Sequence, residues 1–194
     1  MRGGLAMRGV CVRMSVFLVV LLAGCASQVT TQTSHDVYFR AGVPSEFGYA
    51  GGETGLMPVI ILGNPFPLPK AAVDQSVVAA MQGKVNGPPV RFVAVPALSL
   101  PSGYAVVALL NAAPGTSANL LCAQRGLLEP PPPRSERTTV LMAFCGNADA
   151  RSWAFSTTGP VGSPEDPLFQ DLIARTTFAL LPRRDDDWGR GNLM

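Results

Sequence analysis

The chain has 194 residues, of which 47% are apolar and 14% charged; this balance excludes a disordered chain and leaves enough length for one domain with its own core. The formal net charge is +2, yet Arg2, Arg8 and Arg13 fall in the first 24 residues without an acid beside them, so residues 25–194 hold twelve basic and thirteen acidic groups, a net of −1. That excludes nucleic-acid binding through bulk charge, and no basic cluster interleaved with aromatics takes its place.

The first predicted element is a targeting segment over residues 1–24. Its arginines form a positive start, Ser15–Leu22 (SVFLVVLL) is a short apolar run, and the small residues Ala23 and Gly24 follow. This is the pattern of a secretory signal, and the run is too short to span a bilayer as a helix. Met7 and Met14 are alternative starts; Met7 keeps two arginines ahead of the apolar run and Met14 keeps none.

Leu22-Ala23-Gly24-Cys25 resembles the lipobox of bacterial lipoproteins, a leucine and two small residues before a cysteine. The resemblance implies acylation of the Cys25 thiol, cleavage just before it, and a mature chain that starts at Cys25; Cys11 leaves with the leader. It covers about 25 residues and implies nothing about the domain behind them. Each buried methylene contributes about 0.8 kcal/mol and a single acyl chain binds marginally, so a lasting anchor takes two or three chains. Ala26, not Asp, follows the cysteine; by the sorting rule of enteric lipoproteins this favours the outer membrane. Residues 25–35, with the polar stretch ASQVTTQTSH, then read as a lipidated tether ending at His35.

A single domain is expected over residues 36–182. Asp36–Arg40 is a short strand candidate, and residues 41–56, with five glycines and a proline, read as loop. Leu56–Leu62 (LMPVIIL) is an apolar run, a buried strand or a short helical piece that periodicity alone does not decide, and its Pro58 argues against a central strand position near its start. A helix follows from Pro69 to Gly83, with Val73, Val77, Val78 and Met81 on one face. Val90–Val95 and Tyr104–Leu110 are strands joined by a loop; Thr138–Cys145 and Arg151–Ser156 form a hairpin across a GNADA link. Ser163-Pro164-Glu165-Asp166 predicts a helix start capped at Ser163, with Leu168, Phe169, Leu172, Ile173 and Leu180 as its apolar stripe and Pro182 as its stop. Residues 183–194 read as a polar tail. Short links between neighbouring strands predict antiparallel pairing. The expectation is one α+β domain, a mostly antiparallel sheet with two helices on one face, the alternative being a helix-decorated β-sandwich.

Two cysteines remain in the domain, Cys122 and Cys145. In an oxidising compartment such a pair is most simply a disulfide, with two buried free thiols as the alternative. The loop closed would be about 24 residues, which in the chain-entropy model contributes roughly 3.4 kcal/mol. That loop contains LLEPPPPRSER, whose prolines at 130–133 favour a stiff extended segment, so the bridge is expected to hold two strands at its base.

Groups for catalysis are sparse. His35 is the single histidine and falls in the tether, which argues against a catalytic triad, a Cys–His pair or a zinc cluster. No GxxxxGK[ST] or GxGxxG occurs, and Lys70 and Lys84 are the only lysines. Asp185–Asp187 lack the alternating spacing of a calcium loop. Glu46, Glu53 and Asp149 are the acids from which a carboxylate pair could be built. Tyr38, Phe39, Phe47 and Tyr49 cluster around the glycine-rich stretch and could line a shallow peptide or glycan pocket, core packing being the plainer role. The expected function is a non-enzymatic binding or scaffold module of the bacterial envelope. Its partners would be membrane lipid, through acylated Cys25, and an envelope protein, with no cofactor, metal or nucleic acid. The alternatives are a membrane-tethered periplasmic hydrolase using carboxylates and a carrier of lipid or a small ligand.

Overall fold

Three apolar runs set the architecture. LMPVIIL, YAVVALL and TTVLMAFCG are hydrophobic on both faces, as strands covered from both sides must be. They are β2 (Leu56–Leu62), β4 (Tyr104–Leu110) and β5 (Thr138–Gly146). The computed structural model describes residues 29–35, 42–96, 103–125, 127–128 and 136–181. The leader, Cys25, the expected strand at 36–40 and the polar tail lie outside the described residues. Flanking the central strands are β1 (Thr30–His35), β3 (Arg91–Ala94) and β6 (Asp149–Thr158). Together they form one sheet in the order β1-β6-β5-β4-β2-β3. The helices are α1 (Val43–Gly51), α2 (Lys70–Met81), α3 (Ala118–Ala123) and α4 (Pro167–Ala179). The result is a single α+β domain.

The sheet is mixed, and this corrects the expectation of a mostly antiparallel one. β2 runs parallel to both of its neighbours, β3 and β4, while β4–β5, β5–β6 and β6–β1 are antiparallel. The cause is α2, which returns the chain so that β3 starts beside the start of β2, a βαβ unit. The link from β3 to β4 is short, yet the two strands are not neighbours, because β2 lies between them. Pro58 is compatible with this central strand because the ladder to β4 begins at Val59, one residue later, so the missing N–H breaks no bond on that side.

Both faces of the sheet are covered, not one. On the first, Val59, Val106, Val140 and Met142 meet Phe47 of α1, Val73 and Val77 of α2, and Phe169, Leu172 and Ile173 of α4. Burying each of these large side chains contributes about 2 kcal/mol. On the second face, Ile60, Val107, Leu109, Leu141 and Ala143 lie under Leu121 and Cys122 of α3. α2 and α4 match the two expected helices.

Four local differences have physical causes. The glycine-rich 41–56 stretch is mostly α1: a Cβ on Gly48 would sit 3.0 Å from Pro88, and one on Gly51 3.1 Å from Val90. Its glycines therefore allow close packing against the 86–90 segment. α3 has only six residues, too short to show a period, and is capped by Ser117, whose hydroxyl accepts from the Leu120 N–H. In α4 the cap is Asp166, whose carboxylate accepts from the Leu168 N–H at 2.9 Å, and Ser163 belongs to the preceding turn. Finally, Thr30–His35, expected as tether, is a strand paired in register with β6, from Thr30↔Thr157 to His35↔Ser152.

The outer edge at β3 is closed by a side chain. The Gln82 carboxamide, just past α2, donates to the Phe92 carbonyl at 2.9 Å and accepts from the Phe92 N–H at 3.2 Å. It bonds this residue as a further strand would, which protects an otherwise open edge.

Candidate functional site

The two ends of the sheet differ in chemistry, and the more elaborate is the one where β5 turns into β6. Asn147 opens that turn with φ +57°, a conformation asparagine tolerates better than most residues. Its side chain accepts from the Gly103 N–H at 3.1 Å, and its own N–H donates to the Gly103 carbonyl at 3.1 Å. Arg125, just past α3, donates to the carbonyls of Gly103, Asn147 and Cys122. One guanidinium thus ties the hairpin turn to the start of β4. Burial pulls Arg125 below its ordinary basicity.

Beneath this network lies the disulfide. Cys122 of α3 and Cys145 of β5 are bonded, with Cα atoms 5.5 Å apart and both side chains buried. The pairing agrees with the sequence reading; the elements joined are a helix and a strand, not two strands, because Cys122 falls in α3.

On the other face of the hairpin, β6 carries a bulge. Ser152 stands opposite Phe144 and Ala150 opposite Cys145, leaving Arg151 as the extra residue. Arg151 reaches α1, where its Nε lies 3.6 Å from Glu46 Oε2, with both side chains no more than a quarter exposed. Gly146 makes room for it: a Cβ there would fall 2.7 Å from Arg151 Nε and 2.9 Å from the Tyr104 ring. Tyr104 stacks on Phe144, Phe144 meets Phe47 edge to face, and Tyr49 meets Tyr104 at 6.3 Å. A continuous row of rings therefore runs from the core to Tyr49, which is 79% exposed.

Of the aromatics singled out in the sequence, Phe47 is fully buried and Tyr49 is open to solvent; Tyr38 and Phe39 lie outside the described residues. Of the acids, Glu46 faces Arg151, whereas Glu53 is exposed in a turn and Asp149 is exposed at the start of β6, paired with Gly146. Asp185–Asp187 lie outside the described residues. His35 ends β1 opposite Ser152. Among the described residues, no three His, Cys, Asp or Glu side chains are grouped to hold a metal, and no helix is long and apolar enough to cross a membrane. A shallow groove of about 390 Å³ lies on α4, lined by Lys84, Ala174, Arg175, Phe178 and Ala179.

Arg125, Arg151 and Tyr104 escaped the sequence reading. RSWAFS reads as plain alternation, and only the bulge turns Arg151 toward α1. The one usable signal was Gly146-Asn147, turn chemistry between two apolar runs. No protein-family model, curated protein or solved structure matches this chain.

Proposed function

We propose that this chain is a lipid-anchored protein of the bacterial cell envelope, held at the outer membrane through acylated Cys25, whose domain binds or scaffolds an envelope partner without carrying out chemistry. The observation that carries the reading is Leu22-Ala23-Gly24-Cys25 at the end of a short apolar run with arginines ahead of it. The disulfide supports it, since a buried Cys122–Cys145 bond fits an oxidising compartment outside the cytoplasm. The net charge of −1 after the leader fits a protein that meets other proteins better than one that meets nucleic acid. The surface offered is the hairpin end, where exposed Tyr49 supplies an aromatic anchor beside the Glu46–Arg151 pair. The hydrolase alternative draws less support, because Glu46 is engaged with a guanidinium, Glu53 stands in an open turn and Asp149 is exposed at the start of β6.

Metabolic labelling with an alkynyl palmitate tests the anchor. The wild-type chain incorporates the label and partitions with membranes, and Cys25→Ala loses both. A wild-type chain that takes up no label, and whose fractionation Cys25→Ala leaves unchanged, overturns the reading.

A further inference from the structure

The spacing between the proposed anchor and the first strand orients the domain. Cys25 precedes Thr30, the first residue of β1, by five positions; a fully extended chain of that length spans about 17 Å. Thr30 pairs with Thr157 near the end of β6, and the ends of β2 and β4 lie at the same edge, with Leu62 beside Leu109 and Leu110 beside Val140. The anchor therefore draws this end of the sheet toward the membrane. The hairpin turn lies at the far end of the nine-residue β5, about 26 Å further out.

The end nearest the anchor has the chemistry of a surface that rests on lipid. Three described segments form its rim, residues 63–69, 111–117 and 159–164, and none contains a charged residue. Charged residues stand at its border, outside these three segments: Lys70, which pairs with Asp74, and Glu136, Arg137, Glu165 and the helix cap Asp166. At the hairpin end the charges stand on the turns and strand ends themselves, at Glu53, Arg91, Asp149 and Arg151, with Glu46 beside them. Leu68 is 40% exposed at the rim, yet its loop is pinned. The Asn64 amide donates to the Leu68 carbonyl at 2.7 Å, and Asn64 Oδ1 accepts from the Phe66 N–H at 3.0 Å. Phe66 is buried edge to face against Phe169. A fixed loop thus presents an apolar side chain outward on the end held close to the bilayer.

We propose that this uncharged rim rests on the lipid surface that holds Cys25, with Leu68 entering the interface, and that the hairpin end with Tyr49 points away from the membrane toward the partner. The proposal rests on the lipid-anchor reading above. The test uses the full acylated chain in vesicles of phosphatidylethanolamine and phosphatidylglycerol. An environment-sensitive fluorophore is placed at Leu68→Cys, at Pro114→Cys on the same rim, or at Ala148→Cys on the hairpin turn, and quenched by a spin-labelled lipid. The two rim positions are expected to be quenched several-fold more than position 148. Equal quenching at both ends, or stronger quenching at 148, overturns the orientation while leaving the anchor standing. Acylated protein that fails to float with the vesicles overturns the anchor and the orientation together.

Discussion

At the scale of single residues, Gly146 shows how one missing methyl group makes room for others. Its bare Cα lets the Arg151 guanidinium pass beside Tyr104 to Glu46. Gly146→Ala therefore forces ring and guanidinium apart, with an expected loss of about 1–3 kcal/mol in urea denaturation. Replacing Arg151 with Ala instead leaves Glu46, a largely buried side chain of α1, without this counter-ion. The disulfide acts differently, by restricting the unfolded chain. Cys122→Ala with Cys145→Ala is expected to lower stability by roughly 3 kcal/mol. The wild-type midpoint should fall similarly on reduction, and the double variant should be insensitive to reductant. The bridge was legible in the sequence because the two cysteines of the domain leave one intramolecular pairing. The bulge was not, because an extra residue in a strand becomes visible only once its partner strand is known.

At the scale of elements, β3 to β6 were legible as strands and the β5–β6 hairpin with them, whereas β1 and the parallel pairing around β2 were not. β4 matched its apolar run residue for residue, since a run apolar on both faces has few other uses. Nothing in YAVVALL states whether its neighbour runs with it or against it; α2, acting as a crossover, decides that. α1 was hidden because its glycines lower helix propensity, and their purpose, close approach to Pro88 and Val90, is a tertiary fact. Gly48→Val is accordingly expected to displace α1 from the 86–90 segment, with a loss of helical circular dichroism. The contact of Gln82 with β3 gives a second expectation. Gln82→Ala frees both backbone groups of Phe92, and a loss of about 1–2 kcal/mol follows from two abandoned hydrogen bonds. An unprotected edge should also self-associate, which light scattering at rising concentration would detect.

For the whole molecule, what matters is the distance between the proposed lipid and the fold. With β1 starting at Thr30, the tether is half as long as composition implies: ASQVTTQTSH is polar, but its second half is edge strand. Polar β-strands at a sheet edge look like linkers in sequence because exposed edge positions call for no apolar alternation. Inserting about ten Gly and Ser residues between Ser27 and Gln28 should let the domain tumble freely. The quenching contrast between rim and hairpin would then shrink while flotation persists. The pairing of β1 with β6 has a further consequence for biogenesis. A polypeptide threaded outward from its N-terminus delivers Thr30 early and Thr157 late. On the proposed export route the strand next to Cys25 would wait unpaired through most of translocation, and closure of the sheet depends on a contact distant in sequence, which slows folding. On that proposed route the sequence of delivery is opposed to the sequence of sealing: the segment first to leave a translocation channel would have to be kept from stray pairing until nearly all of the domain has followed it.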